Sequence, residues 1–328
     1  MVALVAISGE QFPATSAHLN TAWDQNWRLS EIALAAFLSG RHPRDRFEFG
    51  LFSVVDMLQK LLLVWTHLRV DGDRFVRSGL YRSADRSEKV GVSYSIGQAL
   101  AHLFLTTVLD VPFTLHVDRY AAEYELTWIR HGGLSPDLIG LGNGWVVAEA
   151  KGRTRGQSTQ TLDHAAEQKR AIRTIAGERP QLRLASLSHF GDGTLALHVK
   201  DPEADVRIVD LPGSRFELLR AYYDPILRLT RGGGTRRIFG TTARFVDFPG
   251  LDVSIGVAMG IASSLRSESK TLRLAERISD AGPDLRHADD MMAITSSGLA
   301  IILGTTWDPE VMSREPWERK SNAGGAFT

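Results

Sequence analysis

The chain has 328 residues, 43% of them hydrophobic, and its 38 basic residues are balanced by 38 acidic ones. This apolar content is enough for a substantial core and for two or three structural units. The zero net charge excludes a protein that coats nucleic acid with its whole surface, and the absence of cysteine excludes disulfides, zinc–thiolate sites and a thiol nucleophile.

Targeting and membrane segments are not expected. The first nine residues lack the charged and apolar regions of a signal peptide. Apolar runs such as residues 61–65 are far shorter than a membrane span. The sequence therefore predicts a cytoplasmic protein with no membrane partner.

The first third of the chain contains two helix-like stretches. Residues 27–38 and 49–68 carry apolar side chains at helical spacing. Residues 69–89 are rich in charge and are predicted to form a connector. Residues 1–92 are accordingly interpreted as a helical N-terminal region.

A third helix and a strand open the middle of the chain. Residues 94–109 have a continuous apolar stripe, with Ser93 and Ser95 as candidate N-caps. Residues 113–117 are predicted to form a strand, and residues 119–130 to continue as extended chain.

A β-hairpin is predicted over residues 137–151. Asp137 precedes a short apolar run, and a second run precedes Glu149 and Lys151. Both runs are typical of strands, and the Gly-Asn-Gly at 142–144 predicts a tight turn with positive φ angles. Side chains two apart on a strand share one face, so Glu149 and Lys151 lie together, and the hairpin brings Asp137 opposite them.

Two carboxylates and one ammonium group at the same point need a further cation. Carboxylates about 4 Å apart repel by about 1 kcal/mol in water and about 4 kcal/mol at an effective dielectric constant of 20. Lys151 balances only half of this charge. A divalent metal with oxygen ligands balances all of it, and Mg²⁺ is typically held by one or two carboxylates, waters and a phosphate.

These residues resemble a known family. Pro136-Asp137, eleven intervening residues and then Glu149-Ala150-Lys151 are similar to the signature of the PD-(D/E)XK nuclease superfamily. The resemblance covers the middle third of the chain and implies a restriction-endonuclease-like α/β core, built from a helix, three strands, a helix and a further strand, over residues 93–200. It implies that Asp137 and Glu149 are metal ligands, that Ala150 lends its backbone carbonyl to the metal, and that Lys151 is the catalytic lysine.

The resemblance also points to residues on the two core helices. The first helix of the family often carries an additional acid for the metal, and Gln98 stands at about that position here. This departure argues against a second metal site and leaves Gln98 with an assisting role. In several branches of the family a glutamine or lysine on the helix after the hairpin faces the active site, which implies assisting roles for Gln168 and Lys169.

Basic side chains follow the hairpin. Residues 162–175 are predicted to form a helix, and the basic cluster near it comprises Arg153, Arg155, Lys169, Arg170 and Arg173. This cluster either contacts the phosphates of a nucleic acid or is a solvated face, and the sequence leaves both readings open.

The rest of the chain is predicted to complete the sheet and to add a C-terminal extension. Strands are expected at 182–187 and 194–199. Residues 201–328 are predicted to be a mixed α/β extension, with a helix at 214–229, strand formers over 238–259, a polar helix at 264–279 and a strand at 299–304.

The resemblance implies Mg²⁺-dependent hydrolysis of phosphodiester bonds, with DNA as the expected substrate and Mn²⁺ as a substitute metal. Family members often serve in restriction, repair or anti-phage defence, and the large flanks fit an effector or subunit of such a system. A protein partner bound through the flanks and a homo-oligomer both remain open. The alternative is a catalytically silent module of the same fold that binds nucleic acid or a partner protein.

Overall fold

The structure is a computed structural model that describes residues 2–39, 51–117, 136–168, 172–201, 209–281 and 286–308. Its helices are α1 Leu29–Leu38, α2 Leu51–His67, α3 Gly79–Ser83, α4 Arg86–Thr107, α5 Thr159–Gln168, α6 Arg215–Leu229, α7 Gly260–Ser264 and α8 Glu268–Ala281. Its strands are β1 Val2–Glu10, β2 Ala22–Arg28, β3 Leu68–Asp71, β4 Arg74–Arg77, β5 Phe113–His116, β6 Leu138–Leu141, β7 Trp145–Gly152, β8 Ile172–Ile175, β9 Leu182–His189, β10 Ala196–Lys200, β11 Val209–Leu211, β12 Gly234–Ile238, β13 Thr241–Phe248, β14 Val253–Ala258, β15 His287–Ala288, β16 Met292–Ile294 and β17 Leu299–Leu303.

The fold is mixed α/β, as predicted, and its largest sheet contains the hairpin. The strand order in this sheet is β3-β4-β1-β10-β9-β7-β6-β5, and β2 pairs with β1. The strands β5, β6 and β7 are antiparallel neighbours, whereas β9 runs parallel to β7. In chain order, α4 precedes three antiparallel strands. Helix α5 is followed first by β8, which pairs with β11 outside this sheet, and then by the parallel strand β9 that extends the three.

The description of residues 1–92 as helical is wrong in part, because strands β1 to β4 lie there. In β1 the side chains of Ala3, Val5 and Ile7 are buried at every second position, which is the pattern of a half-buried strand. Strand β1 runs parallel to β10, so the N-terminal residues share one sheet with the hairpin. The proposed boundaries between structural units at 92/93 and 200/201 stay predictions.

The predicted connector at 69–89 is also wrong. It contains β3, β4 and α3, and α4 begins at Arg86, well before the predicted start. Asp85 caps this helix, accepting hydrogen bonds from the backbone of Ser87 (2.6 Å) and Glu88 (2.9 Å), while the Glu88 carboxylate accepts from the Asp85 N–H at 2.9 Å. This capping box replaces the predicted Ser93 or Ser95 cap.

The helix predicted at 162–175 is shorter than expected. It is α5, which ends at Gln168, and Ile172–Ile175 is the strand β8, paired with β11. Three of the four residues in β8 are β-branched, which favours a strand. The extended chain predicted at 119–130 lies outside the described residues.

The hairpin turn is present, but its glycines act differently from the prediction. None of residues 142–144 is among the residues with positive φ. A Cβ on Gly142 would come within 2.6 Å of the Asp110 carbonyl oxygen, and one on Gly144 would overlap the Gln181 side chain. Gly142 is therefore needed for close approach of the Asp110 backbone, whereas a side chain at 144 would displace Gln181, and neither glycine serves a left-handed backbone.

Helix α5 covers the face of the sheet that carries the candidate residues. In the register of β7 and β9, Glu149 is opposite Ala185 and Lys151 is opposite Leu187. Ala185 and Leu187 pack with Leu162 and other residues of α5. Because neighbouring side chains on paired strands share a face, Glu149 and Lys151 lie on the α5 side.

Helix α4 covers the opposite face, where its backbone touches that of β7. A Cβ on Gly97 would lie 2.8 Å from the carbonyl oxygen of Lys151, and one on Gly152 would overlap the carbonyl of Ser93. The close approach fixes the end of β7, and with it Lys151, against the helix.

We expect Gly152→Ala to lower the free energy of unfolding by about 3 kcal/mol, because overpacking against backbone on both sides cannot be relieved by a rotamer change. The control is Gly91→Ala on the exposed side of α4, where an added Cβ meets nothing within 4 Å. That variant should gain about 0.5–1 kcal/mol of stability from helix propensity. Urea denaturation measures both, and effects of the same sign would contradict this account of the contact.

The C-terminal residues form a second sheet, in the order β12-β13-β14-β17-β16-β15. Helix α6 connects this sheet to the core. The Tyr223 hydroxyl donates to the Ser297 carbonyl (2.7 Å), the Tyr222 hydroxyl is 2.8 Å from that of Ser297, and both rings contact Phe113 of β5. The predicted mixed α/β content of the extension is confirmed.

Within the described ranges, no helix is both long and apolar enough to cross a membrane.

Candidate active site

The hairpin brings Asp137 and Glu149 together, as predicted. Asp137 immediately precedes β6, and its carbonyl accepts a hydrogen bond from the Val117 N–H at 2.8 Å. The next residue, Leu138, is opposite Ala148 on β7, which places Asp137 opposite Glu149. The backbone of a three-strand ladder therefore holds the two acids in register.

Reciprocal hydrogen bonds fix the two carboxylates. The Asp137 N–H donates to Glu149 Oε2 at 2.9 Å, and the Ala150 N–H donates to Asp137 Oδ2, also at 2.9 Å. Each carboxylate is thus held by the backbone of the strand that carries the other. This arrangement positions both acids before any ligand binds.

Glu149 is the most perturbed acid of the site. Its side chain is only 1% exposed, and burial, together with the nearby negative charge of Asp137, raises its pKa to about 8. The Lys151 ammonium donates to Glu149 Oε1 and opposes this rise, as does the Asp137 N–H. A buried acid with so high a pKa is a common feature of functional sites.

His116 is a member of the site that sequence reasoning missed. It ends β5 opposite Leu138, and its Nε2 lies 3.9 Å from Asp137 Oδ1. The only signal for it in the sequence is its place at the end of the predicted strand 113–117, next to the strand that Asp137 precedes. Sequence spacing alone gives no reason to choose it.

The donor set fits a divalent cation. Asp137 and Glu149 supply two carboxylates, and the backbone N–H of Ala150 binds the Asp137 carboxylate. When both acids are ionised, one lysine leaves their combined charge incompletely balanced. In the described part of the chain, no group of three or more His, Asp or Glu side chains is placed to hold a metal. Mg²⁺ does not need such a group, since it usually takes one or two carboxylates and fills its remaining positions with water and phosphate oxygens.

The glutamines on the two helices have different outcomes. Gln98 is buried on α4, and its amide nitrogen donates to the Tyr94 hydroxyl at 2.6 Å, a bond within its own helix. Gln168 is the last residue of α5, and its side chain lies outside the described part of the structure, as does Lys169 entirely. The assisting roles of Gln98, Gln168 and Lys169 therefore stay predictions.

The predicted basic cluster does not form one helix face. Arg153 directly follows β7, and its Nη1 donates to Thr161 Oγ1 of α5 at 2.8 Å. Arg155 is exposed in the following loop. Arg173 lies instead on β8, where Asp210 of β11 pairs with its guanidinium group. Among the described residues of the predicted cluster, only Arg153 and Arg155 lie together, in the loop that follows the hairpin.

Comparison with known proteins gives no assignment: no family model, no curated protein and no solved structure matches the chain.

Proposed function

We propose that this protein is a metal-dependent nuclease that hydrolyses phosphodiester bonds, with DNA as its substrate. The observation that carries the proposal is the convergence of Asp137, the buried Glu149 and Lys151 at one end of a hairpin. The element order of α4, three antiparallel strands, α5 and a parallel strand supports it, since apart from the additional short strand β8 this is the order that the resemblance to PD-(D/E)XK nucleases implies. A role in restriction or anti-phage defence rests on that resemblance alone.

Asp137 and Glu149 would hold the metal with the help of the Ala150 carbonyl. When bound, a Mg²⁺ or Mn²⁺ ion would polarise a phosphoryl oxygen and lower the pKa of a water molecule. Glu149 loses its proton when it becomes a ligand, because a cation stabilises the carboxylate that burial disfavours.

Lys151 supplies the remaining positive charge. Its ammonium group donates to Glu149, which points it at the same place as the carboxylates. The side chain is 26% exposed, so it can reach a substrate while its position stays fixed. We assign it to the attacking water or to the negative charge that develops on the phosphate, where a preorganised donor acts most strongly.

The test is a cleavage assay on single-stranded and double-stranded DNA and RNA, with Mg²⁺ or Mn²⁺ and with EDTA. We expect metal-dependent cleavage of DNA and none with EDTA. Cleavage of RNA alone would keep the chemistry and overturn the substrate. Binding without cleavage at any metal concentration would favour the catalytically silent module. Gln98 fits that alternative, because it bonds to Tyr94 at the position where the family often carries an additional acid for the metal.

A further inference from the structure

Beyond Lys151, an arginine and a histidine lie on the same face of the sheet. The Arg153 N–H donates to the Ser188 carbonyl at 2.9 Å, which continues the ladder between β7 and β9 past Gly152. Arg153 is two residues after Lys151, and His189 is two residues after Leu187, the partner of Lys151 in register. Because alternate residues of a strand share a face, Arg153 and His189 lie beside Lys151 on the α5 side.

Arg77 reaches the same loop from the N-terminal part of the sheet. It ends β4, and its Nη1 lies 3.4 Å from the Thr154 carbonyl oxygen. Its guanidinium carbon is 5.5 Å from the centre of the Phe190 ring and 6.0 Å from that of Tyr81. These rings hold the charge next to the residues that follow Arg153 and His189.

The donors of this cluster are not used up. The Nδ1 atom of His189 is buried and has no hydrogen-bond partner among the described residues. Arg153 donates from one nitrogen to Thr161, although a guanidinium group carries five N–H donors. The acid that acts on His189 is Asp192, whose carboxylate already accepts from the backbone and hydroxyl of Thr194 at 3.2 and 2.7 Å. An unpaired buried nitrogen near the Arg153 guanidinium group is suited to an anionic oxygen.

We propose that Arg153 and His189 form a second phosphate-binding subsite, bounded by the loop that Arg77 contacts, which takes a phosphate of the same strand next to the scissile one. The inference rests on the proposed function and deepens it: the substrate is a polynucleotide chain that continues across the end of β7, and not a mononucleotide or an isolated diester. Arginine forks match phosphate oxygens in geometry and charge, and they carry no base specificity, so the subsite fixes the strand and does not read its sequence.

The test is the binding of labelled DNA and RNA oligonucleotides to the full chain, followed by fluorescence anisotropy in EDTA over a range of salt concentrations. Arg153→Ala should weaken binding about tenfold, as expected for a charge-assisted hydrogen bond, and should reduce the slope of log K against log salt by about 0.7–1. Arg153→Lys should keep the slope. His189→Gln should weaken binding while it leaves the slope unchanged, because burial keeps the imidazole neutral by lowering its pKa.

Arg228→Ala is the matched control. It removes the same charge from an exposed side chain of α6 that pairs with Asp224, so it should bind as the parent does. Thermal unfolding of each variant checks that it is folded. Parent-like affinity and slope in Arg153→Ala and His189→Gln would overturn the subsite, as would a parent that binds no oligonucleotide.

A second readout separates this inference from the proposed catalysis. Bis(4-nitrophenyl) phosphate has one phosphate and cannot fill the subsite, so Arg153→Ala should lower kcat/KM for an oligonucleotide about tenfold more than kcat/KM for this compound. Equal loss on both substrates would overturn the subsite. If the parent cleaves nothing but Arg153→Ala still loses affinity and salt dependence, the subsite stands and the nuclease proposal fails.

Discussion

Lys151→Ala is expected to slow phosphodiester cleavage by two to three decades and to leave the affinity for Mn²⁺ nearly unchanged. Loss of one preorganised donor to a developing negative charge costs about 3–4 kcal/mol of transition-state stabilisation. The lysine is not a metal ligand, and its removal takes a positive charge away from two carboxylates. Metal affinity should therefore hold or rise slightly.

Asp137→Ala separates the two roles. It removes an anionic oxygen from the cation, so we expect it to lose both metal binding and cleavage. Calorimetric titration with Mn²⁺ and a cleavage assay are run on both variants, with the exposed Lys270→Ala on α8 as the control for loss of a lysine. Wild-type cleavage by Lys151→Ala, or parent-like metal binding by Asp137→Ala, would refute the assignment of this hairpin.

The hairpin could be predicted because its signals are local. Two short apolar runs, a glycine-rich turn and a strand periodicity of two fix which side chains face each other, so Asp137 and Glu149 meet as expected. The backbone state of the turn could not be predicted in the same way. The space around Gly142 and Gly144 is limited by Asp110 and Gln181, which come from other parts of the chain.

Elsewhere the errors follow from the choice of signal. Asp85 and Glu88 are a capping box in the sequence, but the apolar stripe that begins at residue 94 masked the true start of α4. The prediction of a helix over 162–175 includes Ile172–Ile175, although the β-branched residues of that segment favour a strand. Strand pairing places His116 in the site and Arg173 away from the other members of the basic cluster, and a single sequence does not fix these pairings.

The second large effect expected is on stability: Glu149→Gln should be more stable than the parent at alkaline pH. In the folded protein burial and Asp137 raise the pKa of Glu149 from 4.5 to about 8, so the fold favours the protonated, neutral form. Glutamine is an uncharged substitute for that form. A pKa difference of this size corresponds to at most about 5 kcal/mol.

The sign of the pH dependence follows from proton binding. Between about pH 4.5 and pH 8 the folded state retains a proton on Glu149 that the unfolded state has lost. The free energy of unfolding contributed by this group therefore falls as pH rises through that window, and it is constant above it. Glu149→Gln has no such group, so its advantage over the parent should be small at pH 5, should grow to several kcal/mol by pH 9, and should then level off.

Urea denaturation of the parent and of Glu149→Gln from pH 5 to pH 9 in EDTA measures this difference. The control is Glu276→Gln, an exposed acid on α8, which should follow the parent at every pH. Saturating Mn²⁺ at pH 9 should stabilise the parent, because the cation binds the ionised carboxylates of the folded state, and should stabilise Glu149→Gln far less. A stability difference that does not change with pH would mean that Glu149 is ionised in the folded protein throughout, with Lys151 alone sufficient to balance its charge. The electrostatic reason for placing a metal between Asp137 and Glu149 would then be lost.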